Sequence, residues 1–289
     1  MFLGAVWTEN IESTKRTAVA FDFSGTTPQK WQHNLFVATQ TGGTSVVVID
    51  PAQGNAARVF PVSVPGVPRL VIRDISVSPG GDLAVSASAT SGGRAGGAIV
   101  LLSSSGEIQR TISTAPLMPW SIAFAPDGTI WAAGSDHDDL YKELDRYDVL
   151  RHYDVSGKLL GSTLPVETFT RDRNNYPAIV SKLVASKERL GFYSQPSHEW
   201  VELDLSGKVL GRWKSAAFEK VTGAVITPAG DAFLSVQLPR AKGVLYKLDR
   251  ATGQFVTWHE GPVKVLFGMD GDLAVMGIES PYVDWVKLR

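Results

Sequence analysis

The 289-residue chain contains no cysteine, which excludes disulfides, thiolate metal sites and cysteine nucleophiles. No run of about 18 apolar residues occurs, so no transmembrane helix and no membrane insertion are expected. Charge of one sign is also missing: 28 basic residues stand against 29 acidic ones, for a net charge of −1. Without a basic face to displace counterions, nucleic acid is not an expected partner. The opening MFLGAVWTEN is too short and too soon polar for a signal peptide. That leaves a cytoplasmic protein or, where a leader has been removed, a bacterial periplasmic or secreted one. Catalytic signatures are absent too. There is no G-x-S-x-G elbow and no H-E-x-x-H pair. The glycine-rich SGGRAGG at 91–97 opens no helix, so it is no phosphate loop. It reads as a flexible hairpin tip with Arg94 as its chemical handle.

What is present suits many short strands and many turns: 28 glycines, 16 prolines and eight tryptophans, with 44% hydrophobic and 20% charged residues. The clearest unit spans 120–161. In it SIAFAP alternates in apolar character, Asp127-Gly128 turns, TIWAAG follows, and VLRHYDV and KLLGSTL flank a Ser156-Gly157 turn. Two-residue turns with glycine second supply the positive φ that antiparallel hairpins need, so the unit reads as a four-stranded meander.

The unit repeats. Turns of the D-x-S-G-K kind place glycines at Gly54, Gly106, Gly157, Gly207 and Gly253, separated by 52, 51, 50 and 46 residues. A second turn series, SPGGD, APDGT, TPAGD and MDGD, alternates with the first; SKERL at 186–190 breaks it. A four-stranded unit of about 40–50 residues is the size of a propeller blade. The expected blades are 16–63, 69–113, 120–164, 176–214, 220–260 and 262–289, together one all-β domain over 1–289. In the first, TAVAFDF (17–23) is expected innermost, with GTTPQKWQH (25–33) as a long turn. The sixth has only three strands, and residues 2–8, FLGAVWT, are expected to supply its outer strand and so close the ring. Closure would also remove an exposed strand edge.

These P-x-G-D/T and D-x-S-G-K turns, with the six-fold count, resemble the six-bladed propellers of the NHL and TolB-like superfamily. The resemblance implies the fold over nearly the whole chain and leaves function open, since one fold hosts many chemistries. Such relatives commonly bind protein, peptide or glycan partners without catalysis, and a monomer of that kind is the favoured expectation. The alternative that the resemblance implies is a calcium-dependent lactonase, or a hydrolase resembling the streptogramin lyases, acting in the central channel. Such lactonases hold their metal with Glu, Asn and Asp from different blades. The equivalents in kind here are Asp74, Asn175 and Glu219. Without that metal no cofactor is expected.

Candidate ligand residues gather on the face that carries the inter-blade crossings and the loops between second and third strands, where function sits over a rigid scaffold. Asp136, His137 and Asp138 lie in the acidic stretch 135–147, which reads either as a hard-cation site or as a solvated excursion capped by Asp138. Arg173, Asn175 and Tyr176 stand at the crossing into the fourth blade. There Arg171 and Arg173 suit a carboxylate or phosphate, or pair with the acidic stretch. Trp120 stands at the crossing into the third blade, to stack on a ligand ring or to pack between blades. His198 beside Glu199 has the chemistry of an acid–base pair, but neighbours on a strand diverge, so a solvent-facing His198 is expected.

Overall fold

A computed structural model describes residues 11–18, 26–40, 44–54, 56–67, 69–91, 94–170, 181–216, 218, 220–238, 242–262, 265–279 and 282–288. It is a six-bladed β-propeller of four-stranded antiparallel sheets. Strand β1 (Ile11–Ala18) comes first in the chain and belongs to the last blade. Blade 1 is β2 (Thr26–Gln32), β3 (Leu35–Gln40), β4 (Ser45–Asp50) and β5 (Ala56–Pro61). Blade 2 is β6 (Arg69–Val77), β7 (Leu83–Ser91), β8 (Arg94–Leu102) and β9 (Ile108–Ser113). Blade 3 is β10 (Leu117–Phe124), β11 (Ile130–Asp136), β12 (Asp148–Tyr153) and β13 (Leu159–Pro165). Blade 4 is β14 (Ser181–Ala185), β15 (Arg189–Ser194), β16 (Glu199–Asp204) and β17 (Val209–Lys214). Blade 5 is β18 (Lys220–Ile226), β19 (Ala232–Leu238), β20 (Lys242–Asp249) and β21 (Gln254–Pro262). Blade 6 is β22 (Val265–Asp270), β23 (Leu273–Glu279) and β24 (Tyr282–Leu288), with β1 outside. No helix among the described residues is long and apolar enough to cross a membrane.

The ring closes as the strand count requires, but with a different segment. β1 pairs antiparallel with β24 from Ile11↔Leu288 to Ala18↔Tyr282, whereas residues 2–8 lie outside the described residues. The expected first blade shifts with it. TAVAFDF is not the innermost strand of blade 1; its first two residues end β1. The stretch expected as a long turn supplies the innermost strand, β2. The hairpin was hidden because its turn, His33-Asn34, has no glycine. Both residues take positive φ, 48° and 65°, as a two-residue primed turn demands and as Asn tolerates. The glycine-rich stretch at 91–97 is likewise mostly strand, since β8 begins at Arg94. Gly97 is required there by packing: a Cβ on it would lie 2.0 Å from the Leu117 carbonyl oxygen of the next blade.

Each blade buries its faces only against its neighbours. The apolar residues form six clusters, one per junction. At the junction of blades 6 and 1, Trp31 lies edge-on to Trp285 with centroids 5.4 Å apart and tilts over Phe36 at 4.6 Å. The recurring turn glycines serve the same purpose. Gly106 (φ 90°) rests on Phe60 and Gly157 (φ 90°) on Ile112, each on the outer strand of the preceding blade. A side chain at Gly106 would collide with that neighbour as well as strain the backbone.

Candidate functional site

Six inner strands, β2, β6, β10, β14, β18 and β22, line a central channel of about 940 Å³. Five of them lose register with their partners near the same level. The shifts fall between Pro28 and Lys30, Ile72 and Asp74, Pro119 and Ser121, Val221 and Gly223, and Leu266 and Gly268. A bulge re-aims side chains and bends the strand. Here it delivers Arg73, Trp120, Thr222 and Phe267 to the channel wall. β14 runs in register and presents Lys182 instead. Part of the wall is apolar, with Val77, Phe124, Val184, Val225, Ile226 and Leu266. Polar residues complete it, and their charge is mostly positive. Arg73, Lys30, Lys182, Lys187 and Lys220 line it, and Asp74 is the single acidic lining residue among those described.

Asp74 is fully engaged. Its Oδ2 accepts from Lys30 Nζ at 2.8 Å, from Ser121 Oγ at 2.8 Å and from the Ile122 amide at 2.9 Å. Its Oδ1 accepts from the Ile75 amide at 2.9 Å. Four donors match the roughly four lone-pair sites of a carboxylate. The group thereby joins blades 1, 2 and 3 and caps a backbone amide on an inner strand edge, which has no sheet partner of its own. The same logic recurs: Gln32 Oε1 accepts from the Val77 amide, Ser76 Oγ from the Phe124 amide, and Ser121 Oγ from the Leu183 amide. Lys30 also donates to the Ile122 carbonyl at 2.8 Å.

The remaining cations are placed differently. Arg73 stacks over the Trp120 ring at 4.3 Å and donates through Nε to Ser88 Oγ. Trp120 Nε1 donates to Ser135 Oγ at 3.2 Å. The Arg73 guanidinium thus keeps its terminal nitrogens for other contacts while the indole fixes its plane. Lys182 is half-buried on the channel wall and has no hydrogen-bond or ion-pair partner among the described residues. Burial pushes its ammonium below the usual lysine range; Asp74 pulls it back up, and Lys30 and Lys220 push it down again. Lys220 opens β18 and is exposed.

The expected site residues are scattered by this geometry. Trp120 is on the channel wall, where it packs on Arg73. Asp136 is buried in β11 and accepts from Arg151 Nη2 at 2.7 Å. Burial raises its carboxyl above the usual range, and Arg151 offsets only part of that. His137 is buried between Ser135 Oγ at 2.8 Å and the Tyr141 carbonyl at 3.2 Å. Asp138 Oδ1 accepts from the amides of Leu140 and Lys142, at 2.9 and 2.8 Å, and so organises its own loop. Asp74 reaches the channel, where its Oδ2 holds three donors and its Oδ1 one. Arg173, Asn175, Tyr176 and Glu219 lie outside the described residues. Among those described, no group of three or more His, Asp or Glu side chains is gathered to hold a metal. Glu199 opens β16 and accepts from Arg212 Nη2 at 2.9 Å. His198 sits in a turn at φ 51° and is partly buried rather than solvent-facing.

Motif spacing did not single out Lys30, Arg73, Lys182 or Lys220. A signal was nonetheless present. Aligned on the marker turns, DISVSPG, SIAFAPD, KLVASKE and GAVITPA put Asp74, Ser121, Lys182 and Gly223 in one column. That column is the level at which the inner strands meet the channel.

No family model matches the sequence, and no curated protein sequence matches it. Among solved structures, a gluconolactonase of Xanthomonas campestris superposes with a TM-score of 0.59 at 14% identity, over 91% of this chain and 85% of its own. An inactive virginiamycin B lyase of Staphylococcus aureus with quinupristin gives 0.57 at 13%, over 91% and 80%. A structure of the nidogen/laminin complex gives 0.51 at 14%, over 82% of each chain. At such identities the likeness establishes the six-bladed propeller fold, which this chain shares with both enzymes and a binding protein.

Proposed function

We propose that this protein is a ligand-binding propeller whose site is the central channel and whose ligand is a small organic anion. The observation that carries this reading is the charge on the channel wall. Arg73, Lys182 and Lys220 line about 940 Å³ of space, while the single described acid, Asp74, is already neutralised by Lys30. Cations of one sign on low-dielectric walls focus the field and concentrate counter-ions. Guanidinium and ammonium donors then make charge-assisted hydrogen bonds to carboxylate or phosphate. The apolar lining residues suit the body of such a ligand, with the acid group held by the cations, as in small-molecule sites generally. This moves the expected binding surface from the loop face into the channel. Likeness to the NHL and TolB-like group belongs to the same reading.

The test is a thermal-shift titration with small carboxylic and phosphoric acids, each beside its neutral amide or alcohol. A ligand that binds only the folded state raises the melting temperature in step with concentration. Acids are expected to raise it saturably, less at high salt, and less in Arg73→Gln. Equal responses to acid and neutral analogue, or none to either, would reject the reading. A response to calcium in place of acids would favour the lactonase-like alternative.

A further inference from the structure

We propose that Lys182 is a nucleophilic amine that forms an imine with the carbonyl group of an anionic aldehyde or ketone held in the channel. The inference rests on the anion-binding reading above and adds a covalent step to it. Four lysines line the channel, Lys187 among them in the exposed turn after β14, and the surroundings of the other three separate them. Lys30 Nζ is held by the Asp74 carboxylate and the Ile122 carbonyl, both at 2.8 Å, and is not available for attack. Lys220 is exposed at the start of β18 and stays in contact with water. Lys182 stands on β14 and lines the channel, where Asp74, Lys30 and Lys220 act on it, with no described partner.

An amine in that position is activated in two ways. Low-dielectric walls disfavour its charged form, and so do like charges nearby, which is a recognised route to reactive lysines. The charged groups that act on it are Lys30 on β2, Asp74 on β6 and Lys220 on β18. Arg73 on β6 adds a fixed cation to the same wall. Their net effect is to favour the neutral amine more than in an ordinary lysine, beside Arg73 and Lys220, which can hold a carboxylate or phosphate. That division of labour selects a ligand bearing both an anion and a carbonyl, such as a keto acid.

The step balances without an oxidant or reductant. The Lys182 Nζ lone pair adds to the carbonyl carbon, and the carbonyl oxygen takes up a proton. The nitrogen then releases a proton, giving a neutral carbinolamine. The nitrogen lone pair forms the C=N bond as the hydroxyl leaves with a second proton as water. Amine and carbonyl compound thus give imine and water, and hydrolysis reverses the step.

The experiment uses the full chain with pyruvate and cyanoborohydride, which reduces an imine to a stable secondary amine, followed by a peptide map. Lactate, which keeps the anion and lacks the carbonyl, is the competitor and the binding control. Modification is expected at Lys182 at least about tenfold faster than at exposed Lys158 and Lys208, and lactate is expected to suppress it. Lys182→Arg removes the primary amine and is expected to lose the adduct, while Arg73 and Lys220 stay in place to bind lactate. Because the unmodified chain decides the site by itself, a variant that fails to fold does not obscure the result. Adducts spread evenly over surface lysines would overturn the imine. If lactate also stabilised the protein in that case, the anion site would stand alone. If lactate had no effect either, both proposals would fall.

Discussion

The two arcs of the channel wall hold the ring together by different means. From blade 1 to blade 3 the junctions are side-chain bridges: Lys30 to Asp74, Asp74 to Ser121 and the Ile122 amide, Gln32 to the Val77 amide, Ser76 to the Phe124 amide. From blade 5 through blade 6 to blade 1 one such bridge recurs, from the Leu266 amide to Ser235 Oγ at 3.1 Å, and the backbones themselves approach. A Cβ on Gly223 would lie 2.2 Å from the Leu266 carbonyl oxygen, and one on Gly268 2.1 Å from that of Trp31. Blades 4 and 5 add Lys182 and Lys220 without a described acid to meet them. The contrast separates charge used for structure from charge left for a ligand. A buried carboxylate that four donors from three blades hold is part of the scaffold. An enclosed ammonium without a partner costs stability, and such a cost points to function.

The sharpest way to break the comparison is Asp74→Ala. It strands Lys30, Ser121 and the amides of Ile122 and Ile75 together. A loss of about 3–5 kcal/mol is expected in denaturant unfolding, the range for removing one member of a buried pair. An unchanged midpoint would mean that the first arc is not held by this carboxylate. Next in size is Gly268→Ala, which forces the inner strand of blade 6 away from Trp31. About 1–3 kcal/mol is expected, the usual cost of overpacking. A neutral result would show that the second arc has room to relax.

Lys182→Met tests the opposite sign. The folded-state value of Lys182 is lowered, so between that value and the ordinary lysine range the unfolded chain binds more protons than the folded one. Stability of the natural chain should therefore rise with pH across that window. The methionine variant should be the more stable at neutral pH, and its advantage should shrink as pH approaches the ordinary lysine range. Unfolding curves at a series of pH values decide it; a variant less stable at neutral pH would make Lys182 a structural residue. The smallest effect is expected from Lys220→Gln. Its exposed ammonium should change stability little and weaken acid binding about two- to fivefold, as exposed charges do. A titration in which affinity is lost altogether would place the ligand nearer to Lys220 than to Lys182.

Much of the architecture was legible in advance, for a local reason. The turns around Gly106, Gly157 and Gly207 need positive φ, and the strands between them alternate, so both can be read within a few residues. Where the turn chemistry was unusual the reading slipped. His33-Asn34 makes its turn without glycine, which hid β2 and moved the closing strand from residues 2–8 to Ile11–Ala18. The site was less legible. Asp136, His137 and Asp138 looked available because they are charged and close in sequence, yet each finds its partner within the loop or on β12. Trp120 and Asp74 do reach the channel, one beside Arg73 and the other beneath Lys30.

By itself the sequence determined the number of blades, the antiparallel meander in each and the need for a strand from the other end of the chain. Those features rest on alternation, on turn residues and on a repeat of about 50 residues, all of which are local. Only the tertiary structure decided which charges are spent and which are free. Lys30 and Asp74 are 44 residues apart, Asp74 and Ile122 are 48 apart, and Lys182 stands on yet another blade. Their electrostatics come from the channel that six strands enclose together, and no spacing along the chain encodes a distance across it.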